Sequence, residues 1–131
     1  MRLFHLLSLF GFASAAVKSC GGLFTIDQLG LTPTTTAKAG DNVSLSLLYT
    51  STVEVTTGSV TNSVTYNFIP LTPTVTDLCA STTCPITIGG HDGSSWSTMP
   101  SGLSGTISTR IVWKDGVGAQ LLCIDMSLKA S

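Results

Sequence analysis

Alternation of apolar and polar residues is the main pattern along this chain. It is clearest in residues 43–49, 60–68, 107–113 and 122–128. A period of two is that of a β-strand with one apolar face, and we find no convincing helical period. Asn62 interrupts the apolar face of the second segment, where it marks a strand end, a bulge or a polar contact to a ligand. The pattern therefore predicts an all-β protein.

Turn residues separate these segments at short intervals. Between the last two segments lies Asp115-Gly116-Val117-Gly118, where glycine adopts positive φ without strain, so we expect a hairpin. Proline and further glycines punctuate the rest of the chain. Short strands at this spacing predict an immunoglobulin-like β-sandwich of two antiparallel sheets.

The first residues have the composition of a secretion leader. Arg2 gives a positive start, residues 3–12 are largely apolar, and Ala13-Ser14-Ala15 supplies the small residues that a signal peptidase needs. A membrane anchor is the alternative, but a span needs roughly 20 apolar residues and this run is shorter. We therefore expect residues 1–15 to be a signal peptide, cleaved at about residues 15–18. Residues 19–131 are then expected to form one domain of a secreted or lumenal protein.

Charge is sparse, since charged residues make up 10% of the chain and the net charge is −1. Ordinary soluble domains are about one quarter charged, so solubility here depends on serine, threonine, asparagine and glycine. The lysines and arginines are scattered, whereas a nucleic-acid interface needs them clustered. We therefore expect no nucleic-acid partner.

Four cysteines follow the leader, at positions 20, 79, 84 and 123. An even number of cysteines in an exported chain indicates disulfides. Several connectivities are possible, but the short polar loop between Cys79 and Cys84 favours a bridge there, which leaves Cys20 to pair with Cys123. A zinc site is the alternative. Because His91 is the only histidine after the leader, we expect no metal site.

The tripeptide Asn42-Val43-Ser44 is a sequon for N-glycosylation. It follows a Gly-Asp turn at the start of a predicted strand, in a chain that we expect to be exported. We therefore expect Asn42 to carry a glycan, with an unused sequon as the alternative.

The candidates for catalysis lie in short polar segments. His91 stands among glycines in residues 89–93, where a solvated turn histidine is expected. Ser94, Ser95 and Asp92 lie too close in sequence for a triad positioned by a scaffold. Residues 116–118 form a turn between strands rather than a phosphate-binding loop. We expect neither enzyme activity nor a cofactor.

A series of short motifs, in order along the chain, resembles the ML (lipid-recognition) domain family. The motifs are Cys20-Gly21-Gly22, Leu23-Phe24-Thr25-Ile26-Asp27, Leu31-Thr32-Pro33, Gly40-Asp41-Asn42-Val43, Asp77-Leu78-Cys79, Cys84-Pro85-Ile86, Met99-Pro100, Trp113-Lys114-Asp115-Gly116 and Leu122-Cys123. The resemblance implies a sandwich with splayed sheets and an apolar cavity between them, in which a lipid chain or sterol lies. It also implies the pairs Cys20–Cys123 and Cys79–Cys84. Residues 71–76 are threonine-rich where sterol carriers of the family tend to have more proline and aromatics, which favours an acyl-chain or phospholipid ligand.

Residues at inward-facing positions of the central predicted strands are expected to line this cavity. They are Leu45, Leu47, Tyr49, Val64, Tyr66, Phe68, Ile107, Ile111, Trp113, Leu122, Ile124 and Met126. Plain sandwich core is the alternative for each of them. Trp96, Met99 and Leu103 fall in a glycine- and serine-rich connection and are candidates for a portal, with loop anchoring as the alternative.

We therefore expect a monomeric carrier that holds one phospholipid, sterol or fatty acyl ligand between its sheets and contacts a membrane or an acceptor protein transiently. Burial of the ligand favours binding by about 0.8 kcal/mol per methylene. The alternative is a secreted recognition module, a closed sandwich that binds a protein or glycan surface without lipid.

Overall fold

The structure is a computed structural model that describes residues 17–32, 36–99, 101–102 and 104–130. For Thr36, Trp96 and Ser97 it describes the backbone alone. The predicted signal peptide, residues 1–15, and the portal candidate Leu103 lie outside the described residues.

Ten strands and one short helix make up the described part of the chain. In order they are β1 (Val17–Gly21), β2 (Thr25–Thr32), β3 (Thr36–Ala37), β4 (Asn42–Ser51), β5 (Gly58–Tyr66), β6 (Ile69–Pro70), β7 (Thr74–Asp77), α1 (Leu78–Ser81), β8 (Gly89–Thr98), β9 (Gly105–Asp115) and β10 (Gln120–Ala130). The prediction of an all-β protein is confirmed, since α1 spans only 4 residues. Among the described residues, no helix is long and apolar enough to cross a membrane.

The strands form two sheets. The larger sheet has the order β1-β10-β9-β5-β6, with β3 beside β10 and β7 beside β5. The smaller sheet has the order β2-β4-β8. Neighbouring strands are antiparallel apart from β3, which runs parallel to the end of β10.

Apolar side chains of the two sheets meet between them. On β4, Leu45, Leu47 and Tyr49 are buried, whereas the serines that alternate with them are exposed. From the larger sheet, Ile124 is buried in the same core, and Ile111, its partner in the β9–β10 register, packs against that core. Alternate residues of each strand thus point to an inner face shared by both sheets. The predicted immunoglobulin-like sandwich of two antiparallel sheets is confirmed.

The buried apolar residues within the described ranges form two clusters. The larger one surrounds Tyr49 and Leu122, and the smaller one contains Leu31, Met99 and Leu128. Met99 is 6% exposed, so this portal candidate is an anchor that fixes the chain directly after β8.

Two segments differ from the expectation. Alternation predicts that Phe68 continues the inward face of β5, and this is wrong: β5 ends at Tyr66, and Phe68 lies in the turn before β6 with its side chain 89% exposed. Positive φ at Asn67 (49°) and Phe68 (67°) reverses the chain there, which ends the period of two. Residues 89–93 are not a flexible turn either, because they form the first half of β8 and pair with β4.

Both disulfides join the partners expected from the sequence. Cys20 of β1 pairs with Cys123 of β10, and Cys79 of α1 pairs with Cys84. The first bond therefore lies within the larger sheet, and the second closes the loop that follows α1. Because neither bond joins the smaller sheet to the larger one, packing and the chain connections hold the two sheets together.

Replacing both Cys20 and Cys123 by serine is expected to lower the free energy of unfolding by up to about 4.7 kcal/mol. These residues are 103 positions apart, and the lost constraint on the unfolded chain grows with the logarithm of the loop length. Replacing Cys79 and Cys84, which are 5 positions apart, should cost no more than about 2 kcal/mol. Urea unfolding of the two double variants checks this order, and an equal loss in both contradicts it.

Candidate ligand-binding site

A cavity of about 140 Å³ lies between the two sheets. Its walls come from the central strands. The lining side chains are Leu45 and Leu47 on β4, Val60 and Asn62 on β5, Ile111 and Trp113 on β9 and Ile124 on β10, with residues 81–82 and 93–95 at the edge. Five of the residues predicted to line a cavity are thus brought together at one place.

Apart from Asn62, the wall of the cavity is apolar on both sheets. Leu45 and Leu47 are 9% and 6% exposed, and Ile124 of the larger sheet is 1% exposed. Water against such side chains finds few hydrogen-bond partners, whereas an apolar guest needs none. The wall therefore suits a hydrocarbon group.

The edge of the cavity is polar. It is formed by Ser81 and Thr82 at the end of α1 and by Ser94 and Ser95 on β8. Ser81, Ser94 and Ser95 are exposed, so the cavity reaches the surface between α1 and β8. Gly93 adds no side chain to this part of β8, and a Cβ there would meet no other atom within 4 Å. The edge therefore offers both free space and hydroxyl groups.

Asn62 places an amide on the otherwise apolar inner face of the larger sheet. Its register with β9 is continuous from Gly58 to Tyr66, which excludes both a strand end and a bulge at this residue. Asn62 lies opposite Ile111 and lines the cavity. A polar contact of Asn62 to a ligand stays a prediction.

An aromatic cluster lies against the cavity beyond Trp113. The Tyr49 ring stacks on Phe24 and on His91, with centroids 5.5 and 5.4 Å apart. The Trp113 ring meets Tyr49 edge to face at 5.5 Å. Since Tyr49 belongs to the smaller sheet and Trp113 to the larger one, this is a direct aromatic contact between the sheets.

His91 is partly buried in β8 rather than solvated in a turn. Its Nε2 lies 2.7 Å from the carbonyl oxygen of Thr87, and because a carbonyl can only accept, Nε2 donates this hydrogen bond. The imidazole ring also stacks on the Tyr49 ring. Both interactions stabilise the position of β8, so His91 has a structural role.

The other predicted residues lie outside the cavity. Tyr49 and Leu122 belong to the closed core of the larger cluster, and Ile107 and Met126 pack against the smaller cluster. Val64 and Tyr66 are half-buried on β5 beyond Asn62. Phe68 lies in the exposed turn described above.

Sequence reasoning missed part of the lining. Val60 was recognisable, because it shares inward parity with Val64 on the same strand. Ser94 and Ser95 carry no such signal, since the same residue type covers much of this weakly charged surface. The contribution of α1 depends on the fold alone.

Asn42 is exposed at the first position of β4. Its Oδ1 accepts a hydrogen bond from Thr98 Oγ1 at 3.3 Å. The side-chain nitrogen, to which a glycan would be attached, belongs to the same exposed amide.

A larger open depression of about 870 Å³ lies on the outer face of the smaller sheet. Gln28, Ser46 and Asp92 line it together with the exposed Leu48. A hydrocarbon chain lying there would stay in contact with water and with polar groups. The cavity between the sheets is therefore the better candidate for an apolar ligand.

The model of the ML domain family matches residues 14–130. The chain therefore belongs to this family, as its motifs predict. No curated protein sequence matches the chain significantly.

Solved structures share the fold. A Niemann-Pick type C2 protein from Japanese carpenter ant superposes with a TM-score of 0.70 at 10% identity, over 87% of this chain and 98% of that chain. Chicken MD-1, solved in complex with lipid IVa, gives a TM-score of 0.57 at 14% identity, over 86% of each chain. The alkylpurine DNA glycosylase AlkC from Pseudomonas fluorescens gives 0.56 at 17% identity, over 84% of this chain and 31% of that chain. At these identities the likeness shows the fold alone, and one fold serves unrelated functions.

Burial raises the pKa of Tyr49 above its ordinary value of 10.0, a hydrogen bond with Thr82 lowers it in part, and nearby Asp92 raises it again. The unfolded chain then loses this proton at a lower pH than the folded protein. The contribution of Tyr49 to stability is therefore full below about pH 10 and is lost as the pH rises toward the folded pKa. Tyr49→Phe has no such proton, so its unfolding free energy should fall less between about pH 9 and about pH 12. Denaturant unfolding across this range checks the difference, and parallel profiles contradict it.

Proposed function

We propose that this protein binds a lipid and transports it, with the apolar part of the lipid enclosed between the two sheets. The observation that carries this proposal is the cavity, whose wall is apolar on both sheets apart from Asn62 and whose edge is polar. Membership of the ML domain family supports it. So does the presence of the same fold in chicken MD-1, which was solved with a bound lipid.

The polar edge favours an amphipathic ligand. Hydrocarbon would lie against Leu47 and Ile111, and an oxygen-bearing group would lie near Asn62 and the serines of β8 and α1. Phospholipids, fatty acyl compounds and sterols all have this division. Ten buried methylenes would contribute roughly 8 kcal/mol before the costs of ordering and association are subtracted. This is sufficient for a complex that forms and dissociates.

The cavity is smaller than a whole lipid. An engineered protein cavity of about 150 Å³ holds one benzene molecule, and pockets for larger ligands span roughly 300–1,000 Å³, compared with about 140 Å³ here. Loading therefore requires the sheets to move apart. We place this opening between α1 and β8, because β8 pairs only with β4 among the described strands. Neither disulfide opposes the movement.

We propose that the protein acts as a monomer in a secreted or lumenal compartment. Two disulfides fit an oxidising environment, and the predicted leader provides entry to that pathway.

Filling the cavity should weaken lipid binding. Ile111→Phe places a larger side chain in the space between the sheets, and we expect the dissociation constant for a fluorescent fatty acid to rise at least about tenfold, since overpacking opposes a guest that must share the same space. Fluorescence titration of the purified, delipidated protein measures this.

Ser108→Phe is the matched control for this experiment. Ser108 lies on the same strand directly after Ile107, which packs against the smaller cluster. Because successive strand residues point to opposite faces, Ser108 lies on the outer face of the larger sheet. This variant should bind the fatty acid like the parent protein. Unchanged binding by folded Ile111→Phe would show that the ligand does not occupy the cavity. Absence of fatty acid, phospholipid and sterol binding by the parent would refute the proposed function.

We also propose that Asn42 carries an N-linked glycan. The exposed position at the start of β4 leaves its amide accessible. Protein secreted from eukaryotic cells should lose mass on treatment with peptide N-glycosidase, whereas Asn42→Gln and Ser44→Ala should show no change on treatment. An untreated parent protein with the mass of the bare chain contradicts the proposal.

A further inference from the structure

The turn between β5 and β6 carries a group of exposed apolar side chains. Phe68 is 89% exposed, Ile69 is 63% exposed, and Leu71 just beyond β6 is 50% exposed. Single exposed apolar residues are ordinary on protein surfaces. Three large ones in four consecutive positions on a projecting hairpin are a patch, and such patches mark contact with a protein or a membrane.

The backbone holds Phe68 in a position that turn chemistry usually gives to glycine. Tyr66 pairs with Ile69 across the turn, so the loop contains only Asn67 and Phe68. Both have positive φ, 49° and 67°, as a type I′ hairpin requires. Asparagine suits the first position, but glycine is preferred at the second because other residues are disfavoured there. A strained residue of this kind is a reason to look for a function.

Hydrogen bonds from the start of β9 fix this turn. The backbone N–H of Asn67 donates to the Thr106 carbonyl oxygen at 2.8 Å. The backbone N–H of Thr106 donates to Asn67 Oδ1, also at 2.8 Å. The Tyr66 hydroxyl donates to the Ser104 carbonyl at 2.8 Å and accepts from the Ser104 N–H at 3.0 Å. The hairpin is thus clamped on its polar side, and Phe68 is directed away from the protein.

We propose that Phe68, Ile69 and Leu71 insert into the surface of a lipid bilayer. Residues 55–76 contain no Asp, Glu, Lys or Arg, so insertion of this hairpin buries no charge. A second copy of the chain is a poorer occupant, because an aromatic side chain buries about 150–250 Å² and three apolar side chains fall short of the roughly 800 Å² per partner of a stable interface. A bilayer needs no matching surface of that size.

The proposal rests on the proposed function, in which a membrane is the source or the acceptor of the lipid.

Phe68→Gly tests this contact without endangering the fold. Glycine adopts φ near 67° without strain, so the variant should be at least as stable as the parent. Its binding to neutral phosphatidylcholine vesicles, measured by flotation, should fall roughly tenfold or more, because a buried phenyl group is lost. The parent's binding should change little between low and high salt, since the contact is apolar rather than ionic.

Val117→Gly is the matched control. Val117 lies in the turn between β9 and β10, away from the Phe68 hairpin in sequence, and its apolar side chain is 91% exposed. Its vesicle binding should equal that of the parent. Equal binding by Phe68→Gly and the parent overturns the proposal, as does an equal loss in both variants. A dimer that Phe68→Gly abolishes, with no vesicle binding by the parent, also overturns it.

A separate measurement distinguishes this contact from the cavity. Fluorescent fatty acid added without vesicles should bind Phe68→Gly and the parent equally, because Phe68 lies outside the cavity lining. Vesicle binding that depends on Phe68, in a protein that takes up no fatty acid, phospholipid or sterol, would support the membrane contact while refuting the proposed function. Normal fatty acid binding with no vesicle binding would refute the membrane contact while supporting the proposed function.

Discussion

Apolar packing between the two sheets is the interaction on which the rest of this structure depends. Neither disulfide crosses from one sheet to the other, so side chains that meet in the middle set the separation. The edge contact between Trp113 and Tyr49 is the most specific of these. The core is closed around Tyr49 and Leu122, whereas Leu47 and Ile111 line an open space. The cavity is thus a property of side-chain size at a few positions rather than of the topology.

The parts of the fold that sequence predicts are those where burial alternates strictly. β4 follows its apolar period because one face of the strand is buried, so every second residue has to be apolar. β8 gives no such signal, since its inner side faces the cavity and the Tyr49 ring, where glycine, serine and histidine fit. The inward position predicted for Phe68 is wrong for another reason. Parity carries no information about where a strand ends, and β5 ends because positive φ at Asn67 and Phe68 reverses the chain.

The sequence also predicts only part of the candidate site. Inward parity identifies Ile111 and Ile124, and it identifies Tyr49 and Leu122 equally well. Whether an inward residue meets a partner or a void depends on how the two faces fit together, and that fit involves residues distant in sequence. Asn62 was recognisable as an exception on an apolar face, yet only the continuous β5–β9 register shows that it belongs to the inner wall.

The confinement of the Cys20–Cys123 bond to the larger sheet has an evolutionary consequence. In antibody domains a disulfide ties the two sheets and fixes their spacing. Here, substitutions on β2, β4 and β8 can change that spacing while the covalent frame of the larger sheet stays intact. Selection can therefore alter the width of the cavity, and with it the range of guests, by varying the smaller sheet alone.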